Sequence, residues 1–419
     1  MSATSGPDIV SDGLVFYYDT GNSIDSYLGE PTTNLVTNPT FLGTPNTQTS
    51  AIADNWSFSG DTSVTGFRFY DSATSPITLK YPDEGAVITT GPNATSNRRI
   101  YFNGTVEPST TYTLSYWVYS SNYGAITNYF FTYRADGTTA ASPAYGQGIA
   151  TGEWVFVQRS FTTPADTGNA RSVNWGPVIS SGTNSLFAIQ RFQIEAKSHP
   201  TQFTTGTRSV SGSLLDLTGN STIDLSNVSF DSNAQMTFDG TDDYVNITNS
   251  PQVLFDNDED HSFSLWLRKA GDNSGNYAYV YDKYGTYRCP GLLFILNTNQ
   301  LAVEWRKSDN TSWQLNQTGL SVETNIWNFV TVTITAPGAG STKTIRVYLY
   351  TSSGLQTATL TNSTDWNAAT DGYFHIGRSI SNGTYFNGEI DLVRTYNRAL
   401  TASEIKSNFN AIKGRFNIL

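Results

Sequence analysis

The chain has 419 residues, of which 38% are hydrophobic, 13% aromatic and only 14% charged. That balance excludes a disordered chain, which is rich in charge and poor in rings, and a coiled coil, which needs abundant Glu, Lys, Leu and Ala. A net charge of −11 gains no counterion release on a phosphate backbone, which excludes nucleic acid as a partner. The single cysteine, Cys289, and three scattered histidines (His199, His261, His375) leave no intrachain disulfide and no standard zinc site.

In chain order, no apolar run reaches the ~18 residues of a membrane span, and residues 1–7 lack the basic and apolar regions of a secretory signal. Export by lysis, by assembly or by a dedicated route is therefore expected. Residues 13–19 (Gly-Leu-Val-Phe-Tyr-Tyr-Asp) read as a strand, broken by Gly21-Asn22 and Gly29-Glu30-Pro31. A new opening follows at 33–41. Period-2 runs rich in β-branched and aromatic residues predict strands at 112–119 and 154–161. A polar segment at 197–208 closes this region, and 214–220 and 236–247 begin another. Further strands are predicted at 261–267, 301–305, 328–335 and 344–350. One helix is expected. Thr401-Ala-Ser-Glu404 is a capping box leading into Ile405, Phe409 and Ile412, with Gly414 placed to stop it. The fold class is all-β: two antiparallel sandwiches (jelly rolls) and a short C-terminal helix.

Five segments in order, GLVFYYDTGN (13–22), LLDLTGNSTIDL (214–225), FDGTDDYVNI (238–247), HSFSLWLR (261–268) and FNGEIDLVRTYNRALTASEI (386–405), resemble LamG-like jelly rolls of the concanavalin-like superfamily. In such domains the first strand normally runs within a few residues into the second segment. The long separation of Asp19 from Asp216 therefore implies an insertion. The expected organisation is 1–32 as the first strand, 33–207 as the inserted domain and 208–419 as the remainder. The first strand is expected to lie beside a closing strand at 388–396. Within the insert, NLVTNPTF (34–41), SNRRIYFNGTVEPSTTYTLSYWVYSS (96–121), GEWVFVQRSFTTP (152–164) and LFAIQRFQIEAKSHPTQFTTGTRS (186–209) resemble a carbohydrate-binding-module jelly roll of the galactose-binding-like kind. The combination is similar to fibre, appendage and head-decoration proteins of tailed bacteriophages. It implies a non-enzymatic structural protein on the exposed virion surface, with other virion proteins and host-surface glycans as partners, no membrane, and a homo-oligomeric state. The alternatives are a secreted or cell-surface bacterial adhesin and, third, a polysaccharide depolymerase.

Sugar binding needs aromatic platforms for pyranose C–H groups and polar groups for the hydroxyls. Alternation along 112–119 sends Leu114, Tyr116 and Val118 to one face and Ser115, Trp117 and Tyr119 to the other. Tyr129, Phe131 and Tyr133 repeat that choice. Trp175, between Asn174 and Gly176, reads as a loop residue. Trp117, Tyr119, Tyr133 and Trp175 are thus the candidate carbohydrate-binding residues, against the reading that such rings pack in the core or under a loop. No cofactor is expected. For calcium, which takes six to eight oxygens, the candidates are Asp239, Asp242 and Asp243, read first as a turn with a helper carboxylate. Asp256, Asp258 and Asp260 read as a charged loop. Glu389-Ile-Asp391-Leu-Val-Arg394 begins like the Glu-x-Asp-x-x-Glu strand of concanavalin-fold glycosidases, but the last acid is Arg394, which cannot protonate a leaving group. No catalytic residue is assigned, and Glu153, Glu195 and Glu304 show no evident partner in the sequence.

Overall fold

The computed structural model describes residues 9–43, 56–59, 68–89, 98–134, 136–166, 171–179, 186–248, 255, 258–271, 277–284, 290–295, 298–308, 312–366, 373–379 and 383–418. Cys289 and Asp256 lie outside them. The chain forms two compact units. One comprises 1–31, 209–231 and 235–419, and the other comprises 32–208 with 232–234. Both are built from antiparallel sheets.

In the first unit, Leu14–Asp19 pairs with Asn387–Tyr396, placing Asp19 opposite Leu392 and Tyr17 opposite Arg394. The strand His261–Lys269 flanks the closing strand on its other side, followed by Trp327–Thr335, Lys343–Thr351 and Gly354–Asn362. A seven-stranded sheet forms the second layer. Alternation decides what fills the space between them. Phe263, Leu265 and Leu267 join Phe16, Val303, Trp305, Val332, Val347 and Phe374 in one buried cluster. Trp266 points the other way, into a separate cluster beneath the C-terminal helix. The backbone N–H of Tyr17 donates to Asp216 at 3.0 Å, and Leu28 N–H donates to Ser213 O at 2.8 Å. The segments on either side of the long insertion are thereby stitched together.

The helix spans Ala402–Ile412, with both hydrogen bonds of the capping box made between Thr401 and Glu404. Gly414 does not end it. The chain tightens into a 3-10 turn at Lys413–Phe416, and the left-handed residue is Asn417 at φ 54°. The extra turn carries Phe416 onto Trp266, with ring centres 4.1 Å apart. Among the described residues, no helix is long and apolar enough to cross a membrane.

In the second unit one sheet runs Ala144–Gly148, Ala125–Tyr133, Arg171–Ile179, Arg98–Val106, Trp56–Ser59. The other runs Trp154–Thr162, Thr111–Ser120, Phe187–Glu195, Ala86–Thr89, Arg68–Tyr70. Their inner faces supply one core, including Leu114, Tyr116, Val118, Ile126, Phe130, Phe192 and Trp175. The buried hydroxyl of Tyr116 donates to Asn128 Oδ1 at 2.7 Å, linking the two sheets. Entry and exit are tied at one place. Thr32 and Thr33 pair with Arg208 and Thr207. The Asn34 amide accepts from Ile194 N–H at 3.1 Å and donates to Thr204 O at 3.0 Å.

Candidate functional site

The strand Ala125–Tyr133 alternates strictly between buried and half-exposed positions. Ile126, Asn128, Phe130 and Thr132 face the core. Tyr129, Phe131 and Tyr133 face outward, and the rings of Tyr129 and Phe131 lie 5.5 Å apart and within 4° of parallel. On the neighbouring strand Gly176 stands opposite Tyr129 and Pro177 opposite Asn128. A Cβ at Gly176 would lie 2.2 Å from the carbonyl oxygen of Ile100, so only glycine lets the strands approach this closely. Beyond it, Arg98–Val106 buries Ile100 and Phe102 and leaves Arg99 and Tyr101 half-exposed. The result is a groove of about 120 Å³. Tyr129, Phe131 and Tyr133 form one wall, Arg99 and Tyr101 the other, and Gly176-Pro177-Val178 the floor. The Arg99 guanidinium carbon sits 6.0 Å from the Tyr129 ring centre. Flat rings beside a fork of N–H donors suit an amphipathic ligand with C–H faces and hydroxyl edges.

Of the four rings singled out from sequence, Tyr133 lies in this groove. Trp117 and Tyr119 lie on the outer face of the opposite sheet, where they part company. Trp117 is half-buried beside Phe156, ring centres 5.3 Å apart. Tyr119 packs 5.8 Å from Trp154, whose indole N–H donates to Thr78 O at 3.0 Å. Both rings belong to a small satellite core with Leu79, Ile88 and Ala188. Trp175 is not in a loop. It lies within Arg171–Ile179 and is fully buried against Tyr112 and Phe130, with its N–H donating to Thr132 Oγ1 at 3.3 Å. Its polar, glycine-containing surroundings suggested a turn, whereas Gly176 serves the close packing of a strand. Arg99, Tyr101 and Gly176 were missed, although the alternation of Ile100 and Phe102 with Arg99 and Tyr101 was there to read.

The carboxylate oxygens of Asp239, Asp242 and Asp243, the residues that could hold a cation, come within 4.8 Å of one another. Backbone donors already occupy much of their capacity. Asp243 accepts from Ser229 N–H at 3.0 Å and Asp239 N–H at 2.8 Å, and Asp239 accepts from Thr241 N–H at 2.7 Å. Burial raises the Asp243 carboxyl while these hydrogen bonds oppose it. The set works as a turn lock.

On the closing strand, Glu389 is held by Arg268 and Asp391 by Arg415, which also reaches Asp19 at 2.6 Å. Arg394 is fully buried, its guanidinium carbon 4.6 Å from the Tyr17 ring centre. Glu195 does have partners. It is buried and accepts from Thr32, Gln193 and Thr201, including Thr201 N–H at 2.8 Å, so it anchors the return of the insert.

Residues 239–406 match the family model for the Concanavalin A-like lectin/glucanases superfamily. Over that stretch the chain is similar to a concanavalin-like sandwich. No curated protein matches the sequence. Among solved structures, the chain is similar to the botulinum neurotoxin serotype D binding domain (16% identity, TM-score 0.35, 50% of each chain covered). It is also similar to a CBM4 structure (17% identity, TM-score 0.29, 39% of this chain and 99% of that one). A third similarity is to a receptor binding domain (18% identity, TM-score 0.37, 48% of this chain and 49% of that one). The match spans about half the length of the neurotoxin binding-domain chain. The concanavalin-like unit holds the match, and the candidate groove lies in the inserted unit.

Proposed function

We propose that this chain is a non-enzymatic glycan-binding structural protein on the exposed surface of a tailed-phage particle, contacting host saccharide through the inserted unit. The observation that carries the reading is the groove over Gly176 and Pro177, where three half-exposed rings on one strand face Arg99 and Tyr101. Side chains that pack for stability alone are normally covered, as Phe130 and Trp175 are on the other face of the same sheet. Stacked rings with an adjacent guanidinium offer a pyranose both a platform and donors. Absence of hydrolysis is supported by the ion pairing of both Glu389 and Asp391 and by the Arg at position 394. The reading requires no metal.

The test is binding of host-surface polysaccharide to the full chain and to a Tyr129→Ala/Phe131→Ala variant, with thermal unfolding as the check on folding. At least a tenfold loss of affinity with an unchanged transition is expected. Undiminished binding by the folded variant overturns the groove assignment. Release of reducing ends from the same polysaccharide would replace adhesion by depolymerisation. Absence of the chain from purified particles would remove the virion assignment.

A further inference from the structure

The outer face of the opposite sheet in the inserted unit holds a second concavity, of about 340 Å³, that the reading above does not use. Trp117 and Phe156 form its floor, and Phe156 is 40% exposed. Its rim is built with unusual care. The pairing of Phe187–Glu195 with Thr111–Ser120 slips between Gln190 and Gln193. Arg191 at this slip adopts φ 50°, a left-handed conformation that costs a non-glycine residue free energy and clusters at functional sites. The slip sends the Arg191 guanidinium 3.4 Å from the Tyr81 ring centre and 5.1 Å from that of Phe203. Glu84 grips it from the side, with Nε at 3.0 Å and Nη2 at 2.7 Å. The Gln190 side-chain amide then locks the rim. Its oxygen accepts from Lys80 N–H at 2.9 Å and Tyr81 N–H at 3.2 Å, and its nitrogen donates to Tyr81 O and Gly85 O at 3.1 Å. Lys80, so positioned, holds its ammonium 3.8 Å from the Trp117 ring centre. Among the described residues, no carboxylate pairs with that ammonium, whereas Arg191 is matched by Glu84.

We infer that this concavity is a second saccharide subsite, selective for sugars that carry a carboxylate, such as uronic acids. The sugar ring stacks on Phe156, the exposed ring of the floor, the carboxylate meets Lys80 where its ammonium lies over Trp117 beside the concavity, and Arg191, held by Glu84, orders the rim. A neutral sugar leaves the Lys80 charge unanswered, and a peptide carboxylate lacks the ring that the aromatic floor fits. The inference rests on the reading of the chain as a glycan binder, but it concerns a different face.

The test is calorimetric titration of the full chain with an oligogalacturonate and with its methyl ester, alongside Lys80→Gln, Trp117→Ala and, as control on the exposed face of the C-terminal helix, Lys406→Gln. The free acid should bind at least tenfold more tightly than the ester, and Lys80→Gln should erase that difference. Trp117→Ala should weaken both ligands, and Lys406→Gln should change neither. Equal affinity for acid and ester, no binding of the acid at all, or a Lys80→Gln chain that still prefers the acid overturns the subsite. Loss of polysaccharide binding in Tyr129→Ala/Phe131→Ala with no effect of Lys80→Gln on either ligand would sink this inference alone. The reverse pattern would sink the first groove alone.

Discussion

Ser264-Leu265-Trp266-Leu267 in the concanavalin-like unit and Ser115-Tyr116-Trp117-Val118 in the inserted unit carry the same pattern. In each the tryptophan points away from the inter-sheet core while its neighbours point in. Their fates differ. Trp266 is fully buried, stacked on Phe409 and Phe416 of the C-terminal segment, with Phe329, Tyr350 and Leu392 around it. Trp117 stays half-buried in the floor of a concavity, and across the sandwich Tyr129, Phe131 and Tyr133 are likewise half-exposed. One unit buries Trp266 in a second core; the other packs Tyr119 and Trp154 into a small satellite core and leaves Phe156, Tyr129, Phe131 and Tyr133 partly accessible. A strand's alternation says which side chains leave the core, but not whether another element covers them.

The contrast can be broken most severely by deleting residues 1–20. Phe16 and Tyr18 are fully buried, and their strand pairs with the closing strand from Leu392 to Tyr396. The unfolding transition of the concanavalin-like unit should disappear from calorimetric scans while that of the inserted unit survives. Two surviving transitions at unchanged temperatures would refute the shared sheet.

Next in size is a comparison of aromatic truncations in the two units. Phe416→Ala should cost about 3–5 kcal/mol, as for buried Phe→Ala changes, and shift Trp266 emission to the red. Tyr129→Ala, on an open face, should cost under ~1 kcal/mol. Denaturant unfolding of both variants measures the gap, and equal costs would mean that the groove rings are structural after all.

A smaller effect comes from pH, where the half-buried Asp391 and the buried His375 of the concanavalin-like unit oppose each other. Burial pushes the Asp391 carboxyl up from 3.8 to about 6, with Arg415 pulling it back down. Between those values the folded chain keeps a proton that the unfolded chain has released, so acidification from pH 7 to 5 favours folding. Burial, helped by Arg378, holds the His375 imidazole down from 6.5 to about 3. There the unfolded chain takes up the proton and the folded one does not, so the same acidification opposes folding. Each contributes about 1–2 kcal/mol by pH 5. Asp391→Asn should therefore steepen the loss of stability between pH 7 and 5, and His375→Gln should turn it into a gain. Parallel pH profiles for the two variants would show that neither group titrates as its burial requires.

The smallest expected effect is at the helix cap. Thr401→Ala, which removes one side-chain acceptor while the helix stays packed, should lower stability by about 1 kcal/mol. Unfolding midpoints of the concanavalin-like unit read it directly, and the inserted unit's midpoint should not move.

Much of the fold was legible along the chain because local chemistry specified it. Period-2 runs marked the strands, and Thr401 and Glu404 marked the helix start. Gly414 misled because a helix end depends on what the following turn packs against, and here Phe416 is drawn onto Trp266. Trp175 misled because glycine serves equally in a turn and in close strand packing, and only the approach of Ile100 distinguishes the two.

The sequence by itself determined the all-β class, the direction each ring leaves its strand and the capped helix, because alternation and capping act between near neighbours. Only the tertiary structure decided which rings stay open. It set Arg99 and Tyr101 across Gly176 from Tyr129, lowered the C-terminal turn onto Trp266, and curled Lys80 and Tyr81 over Trp117. Accessibility belongs to pairs of distant segments, and the composition of either one alone does not encode it.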